Sequence, residues 1–135
     1  MFADRRAKAI WQGLERVQIR EPMPWREYLA DANARRIDIM LVPLEPSHVN
    51  DSRAPTKRID VARYKAAGVF SQGVVFGYAT EGDEFLLPYD AGQWREIIFR
   101  LVDDVGGRGI TAIATHKAVL QMALAADTGF EALKA

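Results

Sequence analysis

The chain has 135 residues, no cysteine, and eighteen basic side chains against eighteen acidic ones. Its length suits one domain with a core of its own, and 49% apolar with 27% charged residues excludes a disordered or collagen-like chain. Without cysteine there is no disulfide framework, thiolate zinc site or cysteine nucleophile. No apolar stretch approaches the roughly 20 residues a bilayer span needs. The opening residues, Met1-Phe2-Ala3-Asp4-Arg5-Arg6, lack the apolar run of a signal peptide, so an unexported, cytoplasmic protein with no membrane partner is the expectation.

Ala7, Ile10, Trp11, Leu14 and Val17 recur at helical spacing and predict a first helix, stopped by Pro22 and Pro24. Pro24 can open a second helix that places Trp25, Tyr28, Leu29 and Ala32 on one face, giving an amphipathic pair over residues 3–35. Residues 37–42 are short, β-branched and almost wholly apolar, as in a strand covered on both faces, and residues 45–58 read as a loop. A short helix is expected over 59–67 with Gly68 as its cap. A strand over 69–80 then turns at Glu81-Gly82-Asp83 and returns as 84–89 in a hairpin, with Gly73 and Gly77 marking a bulge or a close backbone approach. Trp94, Ile97, Ile98, Leu101, Val102 and Val105 fit a helix over 91–105, which Asp90 and Gln93 would cap and Gly106-Gly107 would end. A strand over 109–114, a helix over 115–127 and a short strand over 130–133 complete the chain. The resulting fold class is α/β, an α+β sandwich whose mixed sheet carries packed helices behind an N-terminal helical pair. The whole chain, 1–135, reads as a single domain with 1–35 as an extension or cap and 36–135 as the core.

No catalytic set assembles from these residues. Two histidines, His48 and His116, are too few for a three-histidine metal site, and neither has a spaced carboxylate set around it. The serines lack a nucleophile-elbow context. Arg53, Lys57, Arg58, Arg63 and Lys65 gather on the long loop and the next helix and could receive an anion, although a solvated charged face accounts for them more simply. Specific nucleic-acid binding is not expected, since neither a net basic domain nor a recognisable motif is present. Asp103 and Asp104 would close a helix where its dipole disfavours carboxylates.

The order strand 84–89, helix 91–105, strand 109–114, helix 116–127 and then Gly129-Phe130-Glu131 resembles the closing half of the GNAT acetyltransferase fold. Ile39-Met40-Leu41-Val42-Pro43-Leu44 is similar to the way such domains open, so the resemblance spans residues 37–133. It implies a degenerate acetyltransferase-like domain of the kind found in small tailed-phage proteins, hence a virion-associated alternative to the cytoplasm. It also implies an acyltransferase reading in which acetyl-CoA lies near Gly92 and Arg58. The chain departs from that family at the pyrophosphate-binding turn, where it has Gly92 alone behind an acidic cap, and in its last helix, which carries no Tyr.

The leading expectation from the residues is a non-catalytic protein-binding or structural domain, with Trp11, Trp25 and Tyr28 as partner-binding candidates; the alternative is the divergent acyltransferase. Net neutrality conceals a polarity. Residues 1–36 hold eight basic and five acidic side chains, and residues 37–90 hold five and eight, an asymmetry suited to self-association or docking.

Overall fold

The computed structural model describes residues 5–78 and 84–132, with side chains over 9–78 and 84–126. Residues 1–31 and 32–135 form two compact units, so the boundary falls just ahead of the expected junction at 35/36.

In the first unit α1 (Arg5–Gln12) is shorter than its apolar spacing predicts. The Gly13 and Leu14 amides still bond back to the Ile10 and Trp11 carbonyls, but Arg16 then takes a left-handed φ of 62° that no helix can continue. Pro24 opens α2 (Trp25–Ala34) as expected, its carbonyl receiving the Tyr28 amide at 2.9 Å.

The second unit is α/β, as the sequence indicates. Its strands are β1 (Ile39–Val42), β2 (Ala67–Ser71) and β3 (Phe85–Leu87), ordered β1-β2-β3. Both pairings are parallel, with Ile39 beside Ala67 and Val69 beside Phe85. The expected hairpin is therefore corrected: β2 ends at Ser71 and β3 runs alongside it in the same direction. Its proposed turn, 81–83, lies outside the described residues.

The long loop is also more ordered than its composition suggests. It holds a single turn, α3 (His48–Asp51), where the Ser47 hydroxyl accepts the Asn50 amide at 3.2 Å. Helix α4 (Lys57–Tyr64) returns the chain for β2, and its cap is Lys65 in the left-handed region, φ 53°, rather than Gly68. The Lys65 amide reaches the Ala62 carbonyl and the Ala66 amide reaches Val61, so β2 starts two residues earlier than expected.

Strand alternation divides the core between the two faces of the sheet. Phe70 and Leu86 pack with Val61, Ala66 and Phe76 on the α4 side. Ala67 and Val69 pack with Leu101, Trp94 and Ile97 of α5 (Ala91–Asp103) on the other. All five residues of β2 are buried, as a strand covered on both faces requires. Asp90 caps α5 by accepting the Gln93 amide at 2.9 Å, in agreement with the sequence signal.

The largest departure is at 105–132. The expected strands at 109–114 and 130–133 do not form, because one helix, α6 (Val105–Ala132), runs through both as far as the description extends. The strand at 109–114 was among the elements carrying the GNAT resemblance. Asp104 explains the outcome: it is extended rather than helical, and its carboxylate accepts the Gly107 amide at 2.7 Å, so it starts a helix rather than burdening the end of one. A Cβ on Gly107 would lie 2.3 Å from that carboxylate, so glycine here admits the cap and does not stop the helix. Arg108 reaches back to the Leu101 and Val102 carbonyls at 2.7 and 2.8 Å, closing the end of α5.

The buried face of α6 is built from small residues, Thr111, Ala114 and Thr115, which let it lie close to α4 and β2. Thr111 Oγ1 donates to the Gly107 carbonyl at 2.9 Å, whereas Thr115 Oγ1 is buried with no hydrogen-bond partner among the described residues. Thr115→Val removes that hydroxyl at nearly constant shape and is expected to raise stability by about 1 kcal/mol in urea unfolding. A loss of similar size instead would show that the hydroxyl bonds within the folded protein.

Candidate functional site

Two surfaces of the second unit are built in ways the core does not require. The first is the outer side of α6. Opposite its Thr/Ala face, Ile110, Ile113, Lys117, Leu120 and Leu124 recur at alternating three- and four-residue spacing and all are exposed, Ile110 to 64% and Leu124 to 66%. Further along, residues 123–126, Ala-Leu-Ala-Ala, cover every direction of the helix and are all exposed. Phe99, Val102 and Val105 extend the exposed apolar area over the end of α5 and the start of α6.

The second is a cleft of about 290 Å³ where the three parallel strands end. Its walls come from the segment after β1 (Leu44, Glu45), from α3 (Asp51), from the end of β2 onward (Ser71, Gln72, Tyr78) and from the segment after β3 (Pro88, Tyr89). Parallel strands leave their carboxyl ends on one edge, where the diverging connections open a crevice.

Specific bonds hold these segments. The Leu44 amide donates to the buried Ser71 hydroxyl at 2.7 Å, fixing the chain after β1 against the end of β2. Asn50 Nδ2 donates to the Glu45 carbonyl at 2.8 Å and ties that segment to α3. The Gln72 amide donates to Leu87 at 2.7 Å. Gly73 and Gly77, with φ of 142° and 87°, exchange amide-to-carbonyl bonds of 2.7 Å, and this close approach of two backbones delivers Tyr78 to the rim.

The residues singled out in the sequence lie elsewhere. Arg58 is engaged inside the fold: Nε and a terminal nitrogen donate to the two Glu84 carboxylate oxygens at 3.2 and 2.8 Å, and the terminal nitrogen also donates to the Phe76 carbonyl at 2.6 Å. Its guanidinium stacks 5.6 Å from both the Phe70 and Phe76 ring centres. Gly92 sits in the first turn of α5, beyond the other end of β3 from Glu84, the partner of Arg58. The five basic residues of 53–65 do not converge, since Lys57 and Arg63 both engage Asp60 while Arg58 faces inward. In the first unit Trp11 and Trp25 are exposed, and the Trp25 and Tyr28 rings stack at 5.3 Å.

No family model, curated protein or solved structure matches this chain. Among the described residues no helix is long and apolar enough to cross a membrane, and no three His, Asp or Glu side chains gather as metal ligands. The cleft was not legible in the sequence: Glu45 and Asp51 stand out there only as neighbours of His48, and Ser71, Tyr78 and Tyr89 carry no motif. Their convergence depends on β2 and β3 being parallel.

Proposed function

We propose that this protein is a non-catalytic protein-binding domain that works by self-association, with α6 as its docking element. The observation that carries the reading is the exposed apolar stripe on α6, backed by a helical segment with no polar face at 123–126. A helix apolar in all directions is ordinarily a covered one.

A second copy fits the stripe. Ile110, Ile113, Lys117, Leu120 and Leu124 occupy alternate a and d positions of a heptad seam. An antiparallel pair layers a against d, so Ile113 faces Leu124 and Lys117 faces Leu120, the Lys117 stems packing while their ammonium groups reach outward. Two copies of a chain with zero net charge bring no overall repulsion.

Size sets the strength. The stripe from Ile110 to Leu124 spans about 22 Å of helix, and a face about 10 Å wide offers roughly 220 Å² per copy. That is about a quarter of the roughly 800 Å² of a standard interface, so the dimer should be a weak one that forms in the upper part of the micromolar range. Sedimentation velocity from about 1 μM to 1 mM should therefore show the mass rising from 15.1 kDa toward twice that value. The double variant Ile113→Glu, Leu120→Glu should stay monomeric with an unchanged far-ultraviolet spectrum. A wild-type chain that remains monomeric throughout the range refutes the proposal.

A further inference from the structure

The free edge of the sheet is a surface of a different kind, independent of α6. We infer that β1 takes up an extended segment of another protein as a further strand, one with apolar side chains at alternate positions and an acidic residue ahead of them.

The backbone defines the occupant. The Asp38 carbonyl accepts the Ala67 amide, Ile39 lies beside Ala67, and Leu41 lies beside Val69. In a parallel ladder that register turns Met40 and Val42 toward β2 and leaves the N–H and C=O groups of Ile39 and Leu41 pointing away from the sheet. These outward groups have no hydrogen-bond partner among the described residues. Sheet edges are ordinarily guarded by charged side chains, proline or a bulge, whereas Ile39-Met40-Leu41-Val42 carries none of these and Leu41 is 44% exposed. The opposite edge differs: the Gln72 amide donates to the Leu87 carbonyl, so β3 turns only Leu86 outward, and that residue is buried. A row of unused amides and carbonyls is matched by an extended backbone rather than by a helix or a small ligand.

The side chains beside the edge set the sequence of the guest. On the α4 side of β1 lies a groove of about 570 Å³, lined by Met40, Val42 and Leu44 together with Ala54, Val75 and Phe76. Side chains directly opposite one another in paired strands share a face, so guest residues opposite Met40 and Val42 enter this groove. Arg53 and Lys57 also line it, and no Asp or Glu does. Lys57 shares Asp60, whereas the Arg53 side chain has no ion pair or hydrogen bond among the described residues. This basic pair shares the groove with Pro43 and Leu44, at the carboxyl end of β1. In the antiparallel arrangement, the stronger of the two, an acidic residue therefore belongs at the amino end of the guest. A second copy of this chain does not supply the guest, because its own Met40, Val42 and Leu44 are packed against its core.

Full-length protein is titrated with the blocked peptides acetyl-Glu-Ser-Xaa-Thr-Xaa-Thr-amide, in which both Xaa are Val, Leu or Phe. Amide shifts and hydrogen exchange of Ile39 and Leu41 are followed by NMR. At least one peptide should bind saturably with a Kd at or below about 1 mM and, at saturation, slow exchange of both amides at least about fivefold. The two Thr face Leu41 and Ile39, so N-methylating them removes the guest's donors and should weaken binding at least about tenfold. Leu41→Pro removes an outward amide without touching the ladder to β2 and should have a similar effect, and the N-methylated peptide makes the same test on the unaltered protein. Lys in place of the peptide's Glu, or Arg53→Glu in the protein, should weaken binding about fivefold. Absence of saturable binding by any of the peptides, binding that leaves the two amides unprotected, or equal binding of the N-methylated or Lys peptide each overturns the inference. So does protection of Ile39 and Leu41 that rises with protein concentration alone, which assigns the edge to a second copy. Because α6 takes no part, the Ile113→Glu, Leu120→Glu monomer should bind the peptides unchanged, which keeps failure here distinct from failure of self-association.

Discussion

Arg58→Ala should lower the unfolding free energy by about 3–5 kcal/mol, a large share of the roughly 5–15 kcal/mol a domain of this kind possesses. The Arg58 and Glu84 side chains are only 12% and 11% exposed, so deleting the cation strands a carboxylate away from water. It also frees the Phe76 carbonyl and removes the plate lying over the Phe70 and Phe76 rings. Arg58→Lys should rescue little, because a single ammonium cannot span both Glu84 oxygens while stacking on two rings. The revealing comparison is a double variant, Arg58→Met with Glu84→Leu, which removes both charges together and should recover most of the loss. Urea unfolding with a common slope would measure all four proteins. A single-variant loss below about 1 kcal/mol would place the pair in the weak class of surface ion pairs and contradict its buried geometry.

Phe70→Ala should be comparably severe, at about 3–5 kcal/mol. Phe70 is fully buried in the middle of the central strand, and its ring lies 5.0 Å from that of Phe76. Truncation removes the largest fully buried side chain and opens a void that Val61, Leu86 and Phe76 cannot fill without leaving their own contacts. For a unit near one hundred residues the melting temperature should fall by roughly 12–20 °C. Phe70→Leu, which keeps most of the volume, should lose less than half as much. Similar losses from the two substitutions would mean that the aromatic contacts to Arg58 and Phe76, rather than the filled volume, hold this part of the core.

These two residues also show how far the sequence can be read. The apolar run at 37–42 announces a strand, although β1 lies at the edge of the sheet with Leu41 exposed and is not covered on both faces as expected, while β2 is the strand that is buried throughout. The Asp90–Gln93 signature marks the start of α5 correctly. Direction is a different matter. Glycines at 73, 77 and 82 satisfy the local rules for a hairpin, yet β2 and β3 run parallel, a relation decided by what each strand packs against. The same applies to Gly106-Gly107-Arg108-Gly109. Glycine there reads as a terminator and the β-branched residues that follow read as a strand, but Asp104 caps a new helix and Arg108 closes the old one across the junction. Arg58 illustrates the limit for sites: a basic residue within a basic stretch suggests a surface, and only the fold reveals Glu84 and two phenylalanine rings around it. The cleft was hidden for the same reason, since its walls come from connections following three different strands.

The central position of β2 has a consequence for how the chain assembles. Each of its neighbours must arrive from a distance, Ile39 to Ala67 on one side and Phe85 to Val69 on the other, and no adjacent pair of strands can form early and serve as a template. Closing those loops costs chain entropy before the pairing rewards it, which makes the sheet the slow step. The α5–α6 junction is different, since the bonds from Asp104 and Arg108 join residues at most seven positions apart and can form as soon as the segment exists. The α5–α6 junction is therefore the local part of assembly, while the two backbone edges of β2 stay open to other chains until β1 and β3 arrive.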